Sequence, residues 1–280
     1  MTHDENSVIF SKQDHHIAGL DTFSYCVFNA ASEPLMELHA HENCIELAVV
    51  IKGNETYCLE EETFALVGGD VIITKANQPH KSGDAKQDIC ETFFIILDPH
   101  VKENFLGLDK ASGDQIRNTL LHLERHLFKA DAECLSLLNK TYKSLLKLDK
   151  MNRLYAQSMF VGFLSKLLYT QDAATEIDET TKKIVAYIDA NIFEDIRNED
   201  ICAQFHISPS GFRNKFKESI GMTPRFYINN KKIQIAKSLL KEGNSVTATA
   251  MKLSFNTSEY FSAVFKKFTG ENPSNYLKPL

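Results

Sequence analysis

The chain has 280 residues, 43% of them hydrophobic and 24% charged, a composition ordinary for a soluble globular protein of one or two domains. No apolar run approaches the ~18 residues of a membrane helix, and the opening MTHDENSVIF has no basic segment leading into an apolar one, so neither a membrane span nor a secretory signal is expected. Net charge is −6, but residues 180–280 hold 15 Lys and Arg against 9 Asp and Glu (15 − 9 = +6), leaving 16 against 28 in residues 1–179 (16 − 28 = −12). A basic last third on an acidic remainder points to a polyanion-binding module joined to one that avoids polyanions. The six cysteines are scattered without a CxxC pair, which argues against a disulfide framework or zinc ribbon and fits a reducing cytoplasm.

Residues 20–100 read as short strands over 23–28, 45–51, 55–59, 64–67, 71–73 and 91–97, with turns at Gly53-Asn54, Gly68-Gly69-Asp70, Gln78-Pro79 and Ser82-Gly83-Asp84. Regularly spaced short strands of this kind make a sandwich or barrel. After Asp98-Pro99 the apolar spacing turns helical: Ile116, Leu120, Leu123 and Leu127 form one stripe, and Leu135, Leu138, Tyr142 and Leu145 a second. A third stripe over 151–170 includes Met159, Phe163 and Leu167. Residues 171–181 are polar and read as a linker, and from Lys182 onward the spacing stays helical.

The C-terminal hundred residues contain one pattern twice. Asp200–Lys217 and Ala248–Lys266 each show a short helix with a small residue (Cys202, Ala250), a tight turn, and a capped second helix with phenylalanines four apart. Ser208 and Pro209 suit the cap and first position of one second helix, and Asn256 or Thr257 caps the other. This is a helix-turn-helix written twice, tied by a helix over 225–242 about 27 Å long. Two such units can read two major grooves on one face of a duplex, ~34 Å apart.

The details resemble the tandem helix-turn-helix domain of AraC/XylS-type transcription regulators. Matching residues are Phe216, Lys217 and Gly221, then Met222-Thr-Pro224, Ala236–Leu240, Ser254-Phe255, Tyr260-Phe261-Ser262, Phe265-Lys-Lys267, Gly270 and the run Asn272 to Tyr276. The resemblance implies base-facing positions at Ser210, Arg213 and Asn214 in the first unit and Ser258, Glu259 and Ala263 in the second. Arg213 suits guanine and Asn214 adenine, while Lys217, Thr257, Ser262, Lys266 and Lys267 suit phosphates. The chain departs from the family where Gly is usual in each turn (His206 and Ser254, which must tolerate positive φ), at Lys232 and at Ala263, where Arg is common. Ala263 removes a possible guanine contact.

The N-terminal region carries His39-Ala-His41, Glu46 and Gly53, then Gly69-Asp70 and His80, the two-motif pattern of a cupin barrel, which such regulators commonly use to bind effectors. The resemblance to metal-binding cupins implies His39, His41, Glu46 and His80 as ligands, a set suited to zinc, iron, manganese or nickel. Lys75 and Asn77 stand where the enzyme form has Pro and Gly. A metal site, a metal-free effector pocket and purely structural histidines all remain open, with no cofactor expected and a divalent metal as the alternative. Tyr57 would complete the pocket, which would suit a sugar or another small polar metabolite.

The sequence therefore predicts a two-domain α+β protein. Residues 1–110 form a cupin-like β-barrel for effector binding, 111–171 a helical segment for dimerisation, 172–181 a linker and 182–280 an all-α DNA-binding domain. The expected function is a cytoplasmic, non-enzymatic, sequence-specific regulator, more in keeping with an activator. Double-stranded DNA, a small-molecule effector, a second copy and RNA polymerase are its expected partners, with no membrane. The alternative is a metal-dependent cupin enzyme or metal sensor fused to a DNA-binding domain.

Overall fold

The computed structural model describes residues 1–4, 7–28, 36–60, 62–83, 89–102, 104–172, 179–220 and 222–276. Strands β1 (Thr2–Asp4) and β2 (Ser7–Ser11) lead through a one-turn helix α1 (Lys12–His15) into β3 (Leu20–Phe28). Then come β4 (Ile45–Leu59), β5 (Glu62–Val67), β6 (Asp70–Thr74), β7 (His80–Ser82) and β8 (Cys90–Leu97). Helix α2 (Lys110–Leu121), strand β9 (Leu127–Lys129), and helices α3 (Ala132–Leu145) and α4 (Lys150–Asp172) complete a first compact unit. A second contains α5 (Glu179–Ala190), α6 (Asn198–Gln204), α7 (Pro209–Ile220), α8 (Pro224–Lys241), α9 (Val246–Lys252), α10 (Ser258–Thr269) and α11 (Pro273–Tyr276). Gly221 and most of the expected linker, residues 173–178, lie outside the described residues.

All strand pairs in the first unit are antiparallel, in the order β1-β2-β3-β8-β4-β6-β9, with β5 and β7 also paired to β4. The expected turn at Gly53-Asn54 is absent. Instead β4 runs continuously through it, pairing with β6 and β8 over its first part and with β5 and β7 over its second. A register shift between Val50 and Lys52, followed by Gly53 at φ 85, bends the strand instead of ending it. The bend lays Tyr57, Leu59 and Leu66 against Ala48, Val50 and Ile72 in one interior cluster. Among the described residues the ladder does not close into the full barrel expected, because its order ends at β1 and β9.

The opposite face of the larger sheet carries Leu47, Val49, Phe93 and Ile95, which pack with Ala156, Phe160, Phe163 and Leu164 of α4 in a single core. Phe23 meets Phe160 edge to face at 6.1 Å. Helices α2, α3 and α4 thus share the sheet's core. The helical stripe expected to reach Leu127 stops earlier: α2 ends at Leu121, and Leu127 begins β9, which pairs with β6. Lys129 of β9 donates to Asp70 Oδ1 at 2.5 Å, while Asp70 Oδ2 accepts from the Val67 amide and closes the β5–β6 turn. Among the described residues no helix is long and apolar enough to cross a membrane.

The bend explains why residue 53 is glycine. A Cβ there would lie 2.0 Å from the Ile89 carbonyl oxygen, at a φ that costs an L-residue about 1–2 kcal/mol by itself. Gly53→Ala is therefore expected to destabilise the first unit by more than that amount, read as a lowered unfolding midpoint in urea. An unchanged midpoint would contradict this account of β4.

Candidate functional site

The bend in β4 brings its two halves to one point. Glu46, from the first half, is 3% exposed; its Oε1 accepts from the Tyr57 hydroxyl of the second half at 2.6 Å. Its Oε2 accepts from His41 Nε2 at 2.8 Å. His80, at the start of β7, pairs with Leu59 and stacks its ring on Tyr57 at 5.6 Å and 10°. His39 and His80 exchange backbone hydrogen bonds of 3.0 and 2.8 Å, and their rings are 4.2 Å apart. His39 and His41 lie outside the named strands, and His39 joins the sheet only through that bridge. The chain turns immediately afterwards, with Asn43 at φ 56 and the Asn77 amide donating to the His41 carbonyl. Asn77 itself has φ 62, a conformation Asn accepts more readily than most residues.

Ligand atoms of His39, His41, Glu46 and His80 all lie within 4.8 Å of one another. His39 Nδ1 contacts the Glu37 carbonyl at 2.8 Å and His80 Nδ1 the Gln78 carbonyl at 2.9 Å. A carbonyl can only accept, so both Nδ1 atoms carry protons and both Nε2 atoms are left for the site. His80 Nε2 is buried without a hydrogen bond, 3.6 Å from Glu46 Oε1. A lone pair facing a carboxylate at that distance is unfavourable, so His80 either carries a second proton or turns that nitrogen toward a cation. Three imidazoles and a carboxylate, two rings anchored by carbonyls, and one buried unpaired nitrogen fit a divalent ion.

Burial opposes the charge on Glu46. Hydrogen bonds from His41 and Tyr57, with His80 in ion-pair reach, outweigh it and hold the carboxyl at about 2. Burial likewise works against a charged His80, yet Glu46 and the Gln78 carbonyl raise its pKa on balance. Burial and then the Glu46 charge push Tyr57 far up, so it remains a phenol that donates.

In the second unit, α6–α7 and α9–α10 end their first helices in the same way. The Ile207 amide donates to Cys202 O and His206 to Ala203 O; the Phe255 amide donates to Ala250 O and Ser254 to Met251 O. Both are Schellman closures, with His206 at φ 52 and Ser254 at φ 49 in the position where glycine is usual. Ser208 Oγ accepts from the Gly211 amide and Thr257 Oγ1 from the Tyr260 amide, capping α7 and α10. Phe212, Phe216, Phe261 and Phe265 are buried. Ser210, Arg213, Asn214 and Lys217 of α7 are exposed, as are Thr257, Glu259, Ala263, Lys266 and Lys267. Ser258 and Ser262 are half-buried, and the Ser262 hydroxyl donates to Ser258 O, so that donor is engaged within the helix.

Helix α8 ties the two helix-turn-helix motifs together. Lys232, 5% exposed, donates to Glu194 O at 2.8 Å and to Leu253 O at 2.7 Å, the latter at the end of α9. Its buried ammonium thus satisfies carbonyls on both sides, a role the sequence does not reveal.

Comparison with known proteins agrees with this division. A helix-turn-helix domain family matches residues 201–279, and a cupin domain family matches residues 29–96. The chain is 24% identical over 254 residues to the HTH-type transcriptional activator RhaR of Enterobacter sp. (strain 638), covering 84% of each chain. It is 22% identical over 262 residues to the HTH-type transcriptional activator RhaS of Klebsiella pneumoniae (strain 342), covering 88% of this chain and 91% of that one. It is also 31% identical over 142 residues to the regulatory protein PocR of Salmonella typhimurium, covering 49% and 47%. Both halves of the chain are similar to those of HTH-type transcriptional activators, as the resemblance to AraC/XylS-type regulators implies. The chain is a DNA-binding regulator that joins a cupin domain to two helix-turn-helix units.

Within this regulator, the Glu46 cluster makes stability depend on acid. The folded Glu46 pKa of about 2 lies below its ordinary 4.5, so its stabilisation is complete above 4.5 and is lost as pH falls through 4.5 towards 2. The loss should be on the order of 2–3 kcal/mol. His80, shifted upward, works in the opposite sense: its stabilisation is present below 6.5 and fades as pH rises. Urea unfolding from pH 6 to pH 3 should show a steeper acid loss in wild type than in Glu46→Gln. Parallel profiles would show that Glu46 is not held ionised.

Proposed function

We propose that this regulator binds its effector at His39, His41, Glu46, Tyr57 and His80 and transmits the binding to DNA recognition by α7 and α10. The observation that carries this reading is the convergence of the three imidazoles and Glu46 around a buried, unpaired His80 Nε2. A small polar molecule, a sugar among the candidates, supplies both donors and acceptors to such a lining. Ligand and DNA are coupled if the ligand binds the DNA-competent arrangement more tightly than the other.

On this reading Arg213 and Asn214 of α7 read bases, Ser210, Ser258 and Glu259 face the groove beside them, and Lys217, Thr257, Lys266 and Lys267 hold phosphates. Ser262 is the weakest phosphate candidate, because its hydroxyl proton is used inside the helix. Two copies associate through the outer side of α4, where Met151 (72% exposed), Leu154, Tyr155 and Tyr169 (74%) form an apolar stripe away from the core. The protein works in the cytoplasm by binding and not by turnover, and as an activator it engages RNA polymerase. Lys75 and Asn77 in the second cupin motif favour a binding role over an enzymatic one.

A second reading makes the protein a metal sensor, since the same four side chains present a ready ligand set with anchored rings. Metal analysis of the purified full-length chain separates the two. A stoichiometric divalent ion that is lost in His39→Ala/His80→Ala supports the sensor; wild type that stays metal-free after incubation with zinc or manganese excludes it.

Arg213→Ala should weaken DNA binding by ~1–3 kcal/mol and relax preference at one base position, measured by selection from randomised duplexes. An unchanged preference would remove Arg213 from base reading. His39→Ala/His80→Ala should abolish the effector response and leave basal DNA affinity intact. A retained response would place the effector elsewhere.

A further inference from the structure

We propose that Glu55, two residues from Tyr57 on the same face of β4, is a second contact for the effector, and that it selects a neutral or cationic molecule presenting a hydroxyl or ammonium donor. This rests on the reading of the Glu46 cluster as part of the effector site.

Glu55 is 1% exposed. It lies two residues before Tyr57 in the same strand, so both side chains leave on one face. It pairs with Leu66 of β5, while Val50 pairs with Thr92 of β8. Leu66, Val50 and Tyr57 all belong to the interior cluster. Glu55 and Thr92 therefore join that interior from two different strands, and Thr92 Oγ1 lies 2.9 Å from Glu55 Oε2. The other carboxyl oxygen, Oε1, is buried without any hydrogen-bond partner.

A buried carboxyl with one oxygen unpaired is costly to keep, and native proteins satisfy nearly all such atoms. Here no compensating cation is at hand: no Lys or Arg is among the buried side chains of the first unit among the described residues. The nearby charge is Glu46, which adds to burial in raising the Glu55 pKa to about 7. Ionised Glu46 disfavours an anionic ligand, and a donor or cation reaching Oε1 would favour the ionised form of Glu55 over the protonated one. The other side chains of that interior cluster, Ala48, Val50, Leu66 and Ile72, are apolar. A hydroxyl or ammonium group reaching Oε1 would satisfy the atom that the protein itself leaves unpaired, while the rest of the same molecule meets Tyr57, Glu46 and the imidazoles.

The full-length chain gives two readouts. Without ligand, Glu55→Gln and Glu55→Leu should melt at the wild-type temperature or above it at pH 8, by about 3 °C or more for Gln, because a group kept for binding burdens the empty protein. Melting several degrees below wild type in both variants would mark Glu55 as a structural residue and overturn the proposal. With ligand, three pools of metabolites are screened by saturation-transfer NMR: neutral sugars and alditols, amines and amino sugars, and carboxylates. The expected binder comes from the first or second pool, which also separates hydroxyl from ammonium, and binds at least tenfold more weakly to Glu55→Leu. Binders confined to the carboxylate pool, or none in the first two pools, would overturn the ligand class. A binder lost in His39→Ala/His80→Ala but unaffected in Glu55→Leu would overturn Glu55 alone and leave the histidine site standing; one unaffected in both would remove both assignments.

Discussion

A single buried carboxylate, Glu46, holds the interior of the cupin half together. An isolated carboxylate at 3% exposure would be neutral or would destabilise the fold by several kcal/mol. Each hydrogen bond to a charged group returns about 1.5–3 kcal/mol, so two or three convergent donors are needed to keep the charge. Tyr57 and His41 supply two of them, at 2.6 and 2.8 Å, and His80 stands in ion-pair reach. Tyr57 reaches Glu46 only because β4 bends at Gly53, where the Ile89 carbonyl leaves no room for a Cβ. The bend, the closeness of β7 to the first half of β4 and the gathering of the three imidazoles are consequences of one geometry.

The DNA-binding half is organised by backbone closure instead. Both helix-turn-helix units stop their first helix with the same pair of amide-to-carbonyl bonds, and both do so with a non-glycine residue at positive φ. Ser254 gains something for that strain, since its hydroxyl donates to Phe193 O at 2.6 Å. Lys232 joins the same region by capping Leu253 O, so the second turn is held from two directions. On the proposed reading the two recognition helices are unequal: α7 presents Arg213 and Asn214, whereas α10 presents Glu259 and Ala263. The first helix-turn-helix then carries most of the base discrimination, and the second sets register through Lys266 and Lys267.

Much of this was legible in the sequence, for identifiable reasons. Glycine-free turns at His206 and Ser254, the caps Ser208 and Thr257, and the buried phenylalanine pairs follow from local rules that do not depend on distant contacts. The spacing of His39, His41, Glu46 and His80 named the residues that converge, although not the geometry that joins them. Gly53-Asn54 reads as a hairpin turn because such a dipeptide signals one, and sequence alone does not distinguish a turn from a bend inside a long strand. Leu127 continued a helical stripe by spacing, yet Lys129 pairs with Asp70, a partner 59 residues away, and the segment is drawn onto the edge of β6. Nothing in the sequence singles out Glu55, because a lone glutamate in a strand is ordinarily solvent-facing. Only the fold reveals that its face is the interior one.

The most direct test of this account is a double-mutant cycle between Glu46→Gln and Tyr57→Phe in the full-length chain, following unfolding of the cupin half in urea. If the charge on Glu46 depends on the Tyr57 donor, the two substitutions should be coupled by about 1 kcal/mol or more, with the double variant less destabilised than the sum of the single ones. Effects that add within about 0.5 kcal/mol would mean that the two residues act independently and that Glu46 does not organise the interior.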